Sequence, residues 1–201
     1  MKKILIVVVL AISTSAFAQD METFIGEGKV VNTGYGALTT QYTRLNGKSA
    51  VFTGAYGGWM INHQLMIGLG GYGMVTNQDG FDANGEVDTS KDLMMGYGGL
   101  MLEYTIIGQK RLHVTTNLLI GRGGVASGEK KYEGGFDFNS ENETFYNVLQ
   151  PSVGVEANLT NWFRVEAGGG YRLIKGSNMP GLSDKKLSAP MMNVTLKFGK
   201  F

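Results

Sequence analysis

The residues with the clearest potential for chemistry are a histidine, a serine and a glutamate on the polar faces of two neighbouring segments. His113 alternates with apolar residues, and Ser152 and Glu156 share the polar face of the next segment. A hydrolase needs a nucleophile, a base and an orienting acid within hydrogen-bond reach. No hydrolase motif surrounds His113 or His63, so we predict no catalytic residue. His113 is the only base that we would test.

Charged residues also recur on predicted polar faces. Three acids oppose three bases, and the six residues are Glu103, Glu156, Glu166, Arg164, Arg172 and Lys197. Moving an unpaired charge from water into a protein interior costs roughly several kcal/mol, so charges inside a protein must be paired. The balance predicts a self-neutralising charge network in the interior of the fold.

An acidic stretch at 78–91 has some features of a Ca²⁺ loop. Asp82, Asn84 and Glu86 supply oxygen ligands around Gly85. The regular spacing and terminal glutamate of an EF-hand are missing, so we expect a solvated loop and no metal. The glycine runs at 121–124 and 168–170 precede no helix, which argues against a dinucleotide site. We predict no cofactor.

Eight segments of strand-like alternation must position these residues. Their predicted bounds are 33–45, 48–61, 65–77, 92–106, 111–126, 144–159, 162–174 and 189–201. Most are longer than the roughly five residues usual in soluble sheets. Asn46-Gly47 between the first two is the dipeptide preferred in two-residue hairpins, because both positions tolerate positive φ.

The joints between segments alternate in length. Those at 62–64, 108–110 and 160–161 are tight, whereas those at 78–91, 127–143 and 175–188 are long and polar. Short periplasmic turns and long extracellular loops are typical of outer-membrane barrels. We therefore predict an all-β fold over 33–201, an eight-stranded antiparallel up-and-down transmembrane β-barrel. The even strand count places both termini in the periplasm.

Alternation alone does not decide which face of the barrel is outside. A soluble lipocalin-like barrel has an apolar lumen, and a membrane barrel has the inverse. Aromatic residues near the segment ends favour a membrane barrel with two interfacial girdles. These are Trp59, Tyr104, Trp162 and Phe163 by the tight turns, and Phe52, Tyr72, Phe145, Tyr146 and Tyr171 by the loops. The first three segments are rich in glycine and do not reveal their faces.

The N-terminus predicts secretion. Lys2 and Lys3 precede an apolar core at 4–12 and an Ala-x-Ala ending at Ala18, so we predict a cleaved signal peptide at 1–18 and a short periplasmic segment at 19–32. Cysteine is absent, which excludes disulfides. Without Lys2 and Lys3, 16 of the 18 basic residues remain against 17 acidic ones, so no basic excess suggests a nucleic-acid partner.

The chain resembles the small outer-membrane β-barrel families in three features. These are the signal peptide, the glycine-rich alternation and the ending Leu196-Lys197-Phe198-Gly199-Lys200-Phe201. The families include the transmembrane domain of outer-membrane protein A and the porin-family barrels of Bacteroidetes-type bacteria. The resemblance implies a place in the Gram-negative outer membrane, surrounded by its lipid. It also implies insertion by the barrel-assembly machinery, with an aromatic-ended signal at Val194, Leu196, Phe198 and Phe201.

The resulting hypothesis is a structural or porin-like outer-membrane protein whose lumen is filled by the polar and charged network. Three alternatives stay open at this point: a narrow solute channel, a barrel enzyme acting on envelope lipid, and a soluble periplasmic lipocalin-like carrier. The sequence does not identify a ligand, a surface partner or an oligomeric state.

Overall fold

Strands account for most of the computed structural model, which describes residues 31–106, 111–129 and 142–201. The elements are β1 (Asn32–Leu45), β2 (Lys48–Ile61), β3 (Leu65–Met74), β4 (Asp79–Phe81), β5 (Val87–Ile106), β6 (Leu112–Glu129), β7 (Asn142–Asn158), β8 (Phe163–Lys175), α1 (Asp184–Leu187) and β9 (Ala189–Lys200). The predicted signal peptide and the predicted turn at 108–110 lie outside the described residues, as does most of the predicted loop at 127–143.

Eight of these strands close into one antiparallel barrel. The sheet runs β3-β2-β1-β9-β8-β7-β6-β5, and β3 also pairs with β5, so the barrel has no free edge. The short β4 pairs only with β5, beyond the closed part. The predicted fold class is confirmed. None of the helical segments among the described residues has the length and hydrophobicity of a membrane-spanning helix.

The two ends of the barrel differ in their connections. The tight-turn end carries the turn at 62–64, the connection at 159–162 and both ends of the barrel chain, 32 and 200. The loop end carries the segments at 75–86 and 176–188. Asn46 and Gly47, with φ of 48° and 79°, form the predicted two-residue turn there.

Two predicted loops contain regular structure. The segment at 78–91 holds β4 and the first residues of β5, so a short hairpin projects beyond the barrel rim. The hydroxyl of Ser127 accepts a hydrogen bond from Phe81 N at 2.8 Å and donates one to Phe81 O at 2.9 Å, which ties this hairpin to β6. The segment at 175–188 contains the four-residue α1. Such short elements depend on tertiary contacts more than on local sequence pattern.

The faces of the first three strands are now visible. Inward-facing residues alternate with exposed ones along β1, and the inward set is Tyr35, Ala37, Thr39, Gln41, Thr43 and Leu45. Phe52, Tyr72 and Tyr146 also point inward, so placing them in an interfacial girdle was wrong. Trp59, Trp162, Tyr104, Phe145 and Tyr171 do face outward. Proximity to a strand end does not determine the face, whereas strand parity does.

Glycines allow close approach of neighbouring strands on the side of the barrel built by β2, β3, β5 and β6. A Cβ on Gly68 would lie 2.1 Å from Gly57 O and 2.7 Å from Gly58 Cα. Backbone atoms at such distances must move before any side chain fits. Gly73, on the same strand, has nothing within 4 Å of the equivalent position.

We expect Gly68→Ala to destabilise the barrel and Gly73→Ala, its matched control, to leave it nearly unchanged. Overpacking of this kind costs about 1–3 kcal/mol because strands must shift. Urea unfolding of the protein refolded in lipid vesicles, followed by tryptophan fluorescence, measures the difference. Equal unfolding midpoints for the two variants would show that the glycine contacts are not tight.

Candidate functional site

Lys197 lies at the centre of a buried group of charges inside the barrel. Its Nζ lies 2.7 and 2.8 Å from the two carboxylate oxygens of Glu103 and 2.7 Å from Oε2 of Glu166. It also donates to Oε2 of Glu156. The lysine and the three carboxylates are almost fully removed from solvent.

Glu156 connects this lysine to two further groups. Its Oε1 accepts a hydrogen bond from Nη1 of Arg164 at 2.9 Å and lies 2.7 Å from Nε2 of His113. We call these six side chains the charge cluster: Lys197, Glu103, Glu156, Glu166, Arg164 and His113. Three carboxylates thus face two basic side chains and a histidine.

Strand register explains how the charge cluster forms. Arg164 pairs with Lys197 across β8 and β9, and Glu156 pairs with His113 and Glu166 on its two sides. Directly opposed residues lie about 5 Å apart and point to the same face. Glu103 reaches the cluster from β5, across the lumen. All six lie towards the tight-turn end.

Uncharged hydrogen-bond donors in the lumen surround the charge cluster. The hydroxyl of Tyr56 donates to Oε2 of Glu103 at 3.2 Å, and Nδ2 of Asn117 donates to Oε1 of Glu166 at 3.2 Å. Nδ2 of Asn193 approaches the same Glu166 oxygen at 3.4 Å. Buried carboxylates are retained only where such partners replace water.

Arg172 is the predicted network residue that lies elsewhere. It is eight residues beyond Arg164 on β8, which corresponds to about 26 Å along a strand. Its Nε and Nη2 both donate to Leu187 O at 3.2 Å, and its guanidinium lies over the rings of Phe52 and Tyr97 at 4.6 and 5.8 Å. The prediction that Arg172 points into the lumen agrees with its burial. The prediction that it joins the charge network was wrong, because only the other five predicted residues meet.

The loop end of the lumen is filled by apolar side chains. Residues 176–188, which we call the loop plug, fold inward with Met179, Leu182 and Leu187 buried. They join a cluster contributed by the barrel wall and the β4–β5 hairpin, which includes Leu45, Phe52, Phe81, Leu93, Met95, Val125, Tyr146, Val148 and Ile174. Within the loop plug, Asp184 accepts hydrogen bonds from Gly176 N and Ser177 N at 3.0 and 2.8 Å.

Phe52, Tyr72 and Tyr97 are in ring contact across the lumen, and we call them the aromatic layer. A small polar cavity lies between this layer and the charge cluster. It measures about 10 Å³, enough for roughly one water molecule. Thr39, Gln41, Tyr72, Gln150 and Asn193 are among its lining residues. The Tyr97 hydroxyl lies 2.7 Å from Oε1 of Gln150 and 3.0 Å from Oε1 of Gln41, so this side chain crosses the lumen on the loop side of the cavity.

Three of the four predicted assembly-signal residues lie on the outer face of β9, and the fourth, Phe201, follows the strand and turns inward. Val194, Leu196 and Phe198 point outward and are more than one third exposed. Phe201 is three residues beyond Phe198, an odd spacing that changes face in a strand. Its ring packs on Tyr35, with centroids 5.1 Å apart, and the Arg164 guanidinium lies 3.8 Å from its centroid. Their role as an assembly signal stays a prediction.

The weak Ca²⁺ candidate is built as a turn. Oδ1 of Asp82 accepts hydrogen bonds from the backbone N–H of Asn84 and of Glu86, at 2.9 and 2.8 Å, and Gly85 has φ of 83°. Among the described residues, the acids that approach one another as metal ligands could are Glu103, Glu156 and Glu166. The Lys197 ammonium already lies among them.

Of the three residues considered for hydrolysis, His113 and Glu156 are in contact, but Ser152 lies apart from both. Ser152 pairs with Asn117, whereas His113 pairs with Glu156, four residues further along the strand. Four residues correspond to about 13 Å, far beyond a hydrogen bond. His113 is 4% exposed and is held by Glu156, as a structural histidine would be.

No family model matches this sequence, and no curated protein matches it either. Solved structures do match. Neisserial surface protein A gives a TM-score of 0.57 at 12% identity, covering 87% of this chain and 100% of that one. The N-terminal β-barrel domain of Pseudomonas aeruginosa OprF gives 0.52 at 11%, covering 85% and 99%. Yersinia pestis Ail, in complex with a heparin analogue, gives 0.50 at 9%, covering 84% and 97%.

These likenesses establish the fold. The chain has the architecture of small eight-stranded outer-membrane β-barrels, as the sequence predicted. The Bacteroidetes-type likeness stays a prediction.

Proposed function

We propose that this protein is an integral outer-membrane β-barrel with a structural role and a closed lumen. The inverted distribution of side chains carries the proposal. Leu69, Val155 and Met192 are 70%, 56% and 70% exposed on the outer face, while Lys197 and Glu156 are fully buried. Exposed apolar and buried charged residues suit a barrel surrounded by lipid and would be costly in water.

The barrel ends support an orientation. Trp59 and Trp162 are more than half exposed beside the tight turns, and Phe145 and Tyr171 face outward nearer the loop end. Aromatic residues concentrate at both membrane interfaces. We place the tight-turn end and the barrel termini in the periplasm and the loop plug outside the cell.

The contents of the lumen favour a structural role over a channel or a carrier. The charge cluster holds fixed ion pairs at one end, the loop plug fills the other, and the cavity between them takes about one water. A carrier of the lipocalin kind needs a roomy apolar lumen, whereas this lumen is lined at its centre by polar groups.

The outer-membrane location is tested by cell fractionation and by gel migration of unboiled against boiled samples. A compact barrel that resists detergent should appear in the outer-membrane fraction and change mobility when boiled. Recovery from the soluble periplasm with a single mobility would contradict the proposal.

A further inference from the structure

A row of basic and amide side chains crosses the outer face of the barrel towards its loop end. Arg122 on β6 is directly paired with Asn147 on β7, and Asn147 is directly paired with Lys175 on β8. All three side chains are exposed. We call them the basic row. Two strand spacings separate its ends, about 10 Å, so both long side chains can reach one group placed over Asn147.

The basic row lies at the boundary of the lipid-facing band. The next outward residues towards the tight-turn end are Ile120, Leu149 and Leu173, which pair in one row and are 46%, 40% and 44% exposed. On the other side of Asn147, Phe145 is 63% exposed. Ten residues of tilted strand separate Leu112, at the start of β6, from Arg122, which corresponds to an apolar band about 25 Å tall.

The charges of the basic row are not neutralised by the described part of the chain. No acidic side chain there forms an ion pair with Arg122 or Lys175. Asp184, in the loop plug that follows Lys175, uses its two oxygens on Gly176 N and Ser177 N. Guanidinium, amide and ammonium groups are all donors, and together they match the oxygens of a phosphate.

We propose that the basic row binds the phosphate of a lipid headgroup in the outer leaflet, with the lipid's acyl chains against Ile120, Leu149 and Leu173. This inference rests on the proposed membrane location and orientation. Charge complementarity selects the occupant, because the row stands where headgroups begin and carries two positive charges that no acidic side chain of the described residues pairs. Each basic residue near an anionic lipid surface strengthens binding by about fivefold.

The test compares Arg122→Gln/Lys175→Gln with Arg44→Gln/Lys48→Gln. The second pair removes the same charge at the loop end, outside the basic row. Detergent-purified protein is titrated with a bis-phosphorylated glycolipid of the lipid A type and with its dephosphorylated form, and bound lipid is counted by native mass spectrometry. Unboiled gel migration verifies that each variant is folded.

We expect the basic-row variant to bind the phosphorylated lipid about twenty-five-fold more weakly than the unaltered protein, from two contributions of about fivefold. The control should change much less, and the dephosphorylated lipid should not distinguish the proteins. The proposal would be overturned if both variants weakened binding of the phosphorylated lipid equally. It would also be overturned if the unaltered protein bound the dephosphorylated lipid as tightly as the phosphorylated one. Failure of the membrane location would appear separately, in the fractionation, because the titration uses purified protein.

Discussion

Lys197→Met should prevent the protein from forming a stable barrel. The substitution removes the ammonium that contacts Glu103, Glu156 and Glu166 and leaves three buried carboxylates facing Arg164 and His113. Breaking a buried ion pair by removing one partner costs about 3–5 kcal/mol, and here one lysine serves three partners. Urea unfolding in lipid vesicles measures the loss.

Two further variants separate this electrostatic effect from a general one. Lys200→Met removes an exposed lysine from the end of the same strand and should leave the unfolding midpoint unchanged. Lys197→Met combined with Glu103→Gln and Glu166→Gln removes two of the three carboxylate charges and should recover much of the stability. Failure of this triple variant to recover any stability would show that Lys197 acts by shape and not by charge.

Arg172→Met should loosen the loop plug while leaving the barrel folded. The guanidinium donates two hydrogen bonds to Leu187 O and lies over Phe52. Hydrogen bonds from charged groups contribute about 1.5–3 kcal/mol, and their loss would leave a buried carbonyl without its donor. A free-energy change of about 1.4 kcal/mol corresponds to a factor of ten in an equilibrium constant. The open form of the loop plug should therefore be at least tenfold more populated in this variant.

Trypsin reports this opening, because Lys185 and Lys186 are exposed in the loop plug. Cleavage there in proteoliposomes should be at least tenfold faster in Arg172→Met than in the unaltered protein. Arg44→Met, which removes an exposed arginine at the same end, is the control and should have no effect. An unchanged cleavage rate in Arg172→Met would mean that apolar packing alone holds the loop plug.

The barrel was predictable because its strands carry two strong local signals. Alternation with period two defines the segments, and Asn46-Gly47 defines a turn whose backbone angles the structure shows. Faces were predictable only where side chains alternate. In β3, with glycine at 68, 70, 71 and 73, few side chains mark a face, and packing in the closed barrel decides it.

The sequence predicted which face of the strands carries the candidate site, but not which residues of that face meet in one cluster. Parity places Arg164 and Arg172 on the same inward face, but it carries no information about height along the barrel. Height depends on the register between strands, which brings Arg164 to Lys197 and leaves Arg172 near the loop plug. His113 had a usable signal, since it lies on the polar face of the strand before Glu156.

The closed lumen is tested most directly by conductance across a planar lipid bilayer. Protein whose unboiled migration shows a folded barrel is inserted, and its insertion is verified by recovering the membrane. We predict no stable conductance steps, because the charge cluster, the aromatic layer and the loop plug each block the lumen. Reproducible steps that scale with salt concentration would contradict the closed lumen and make the narrow channel the function to pursue.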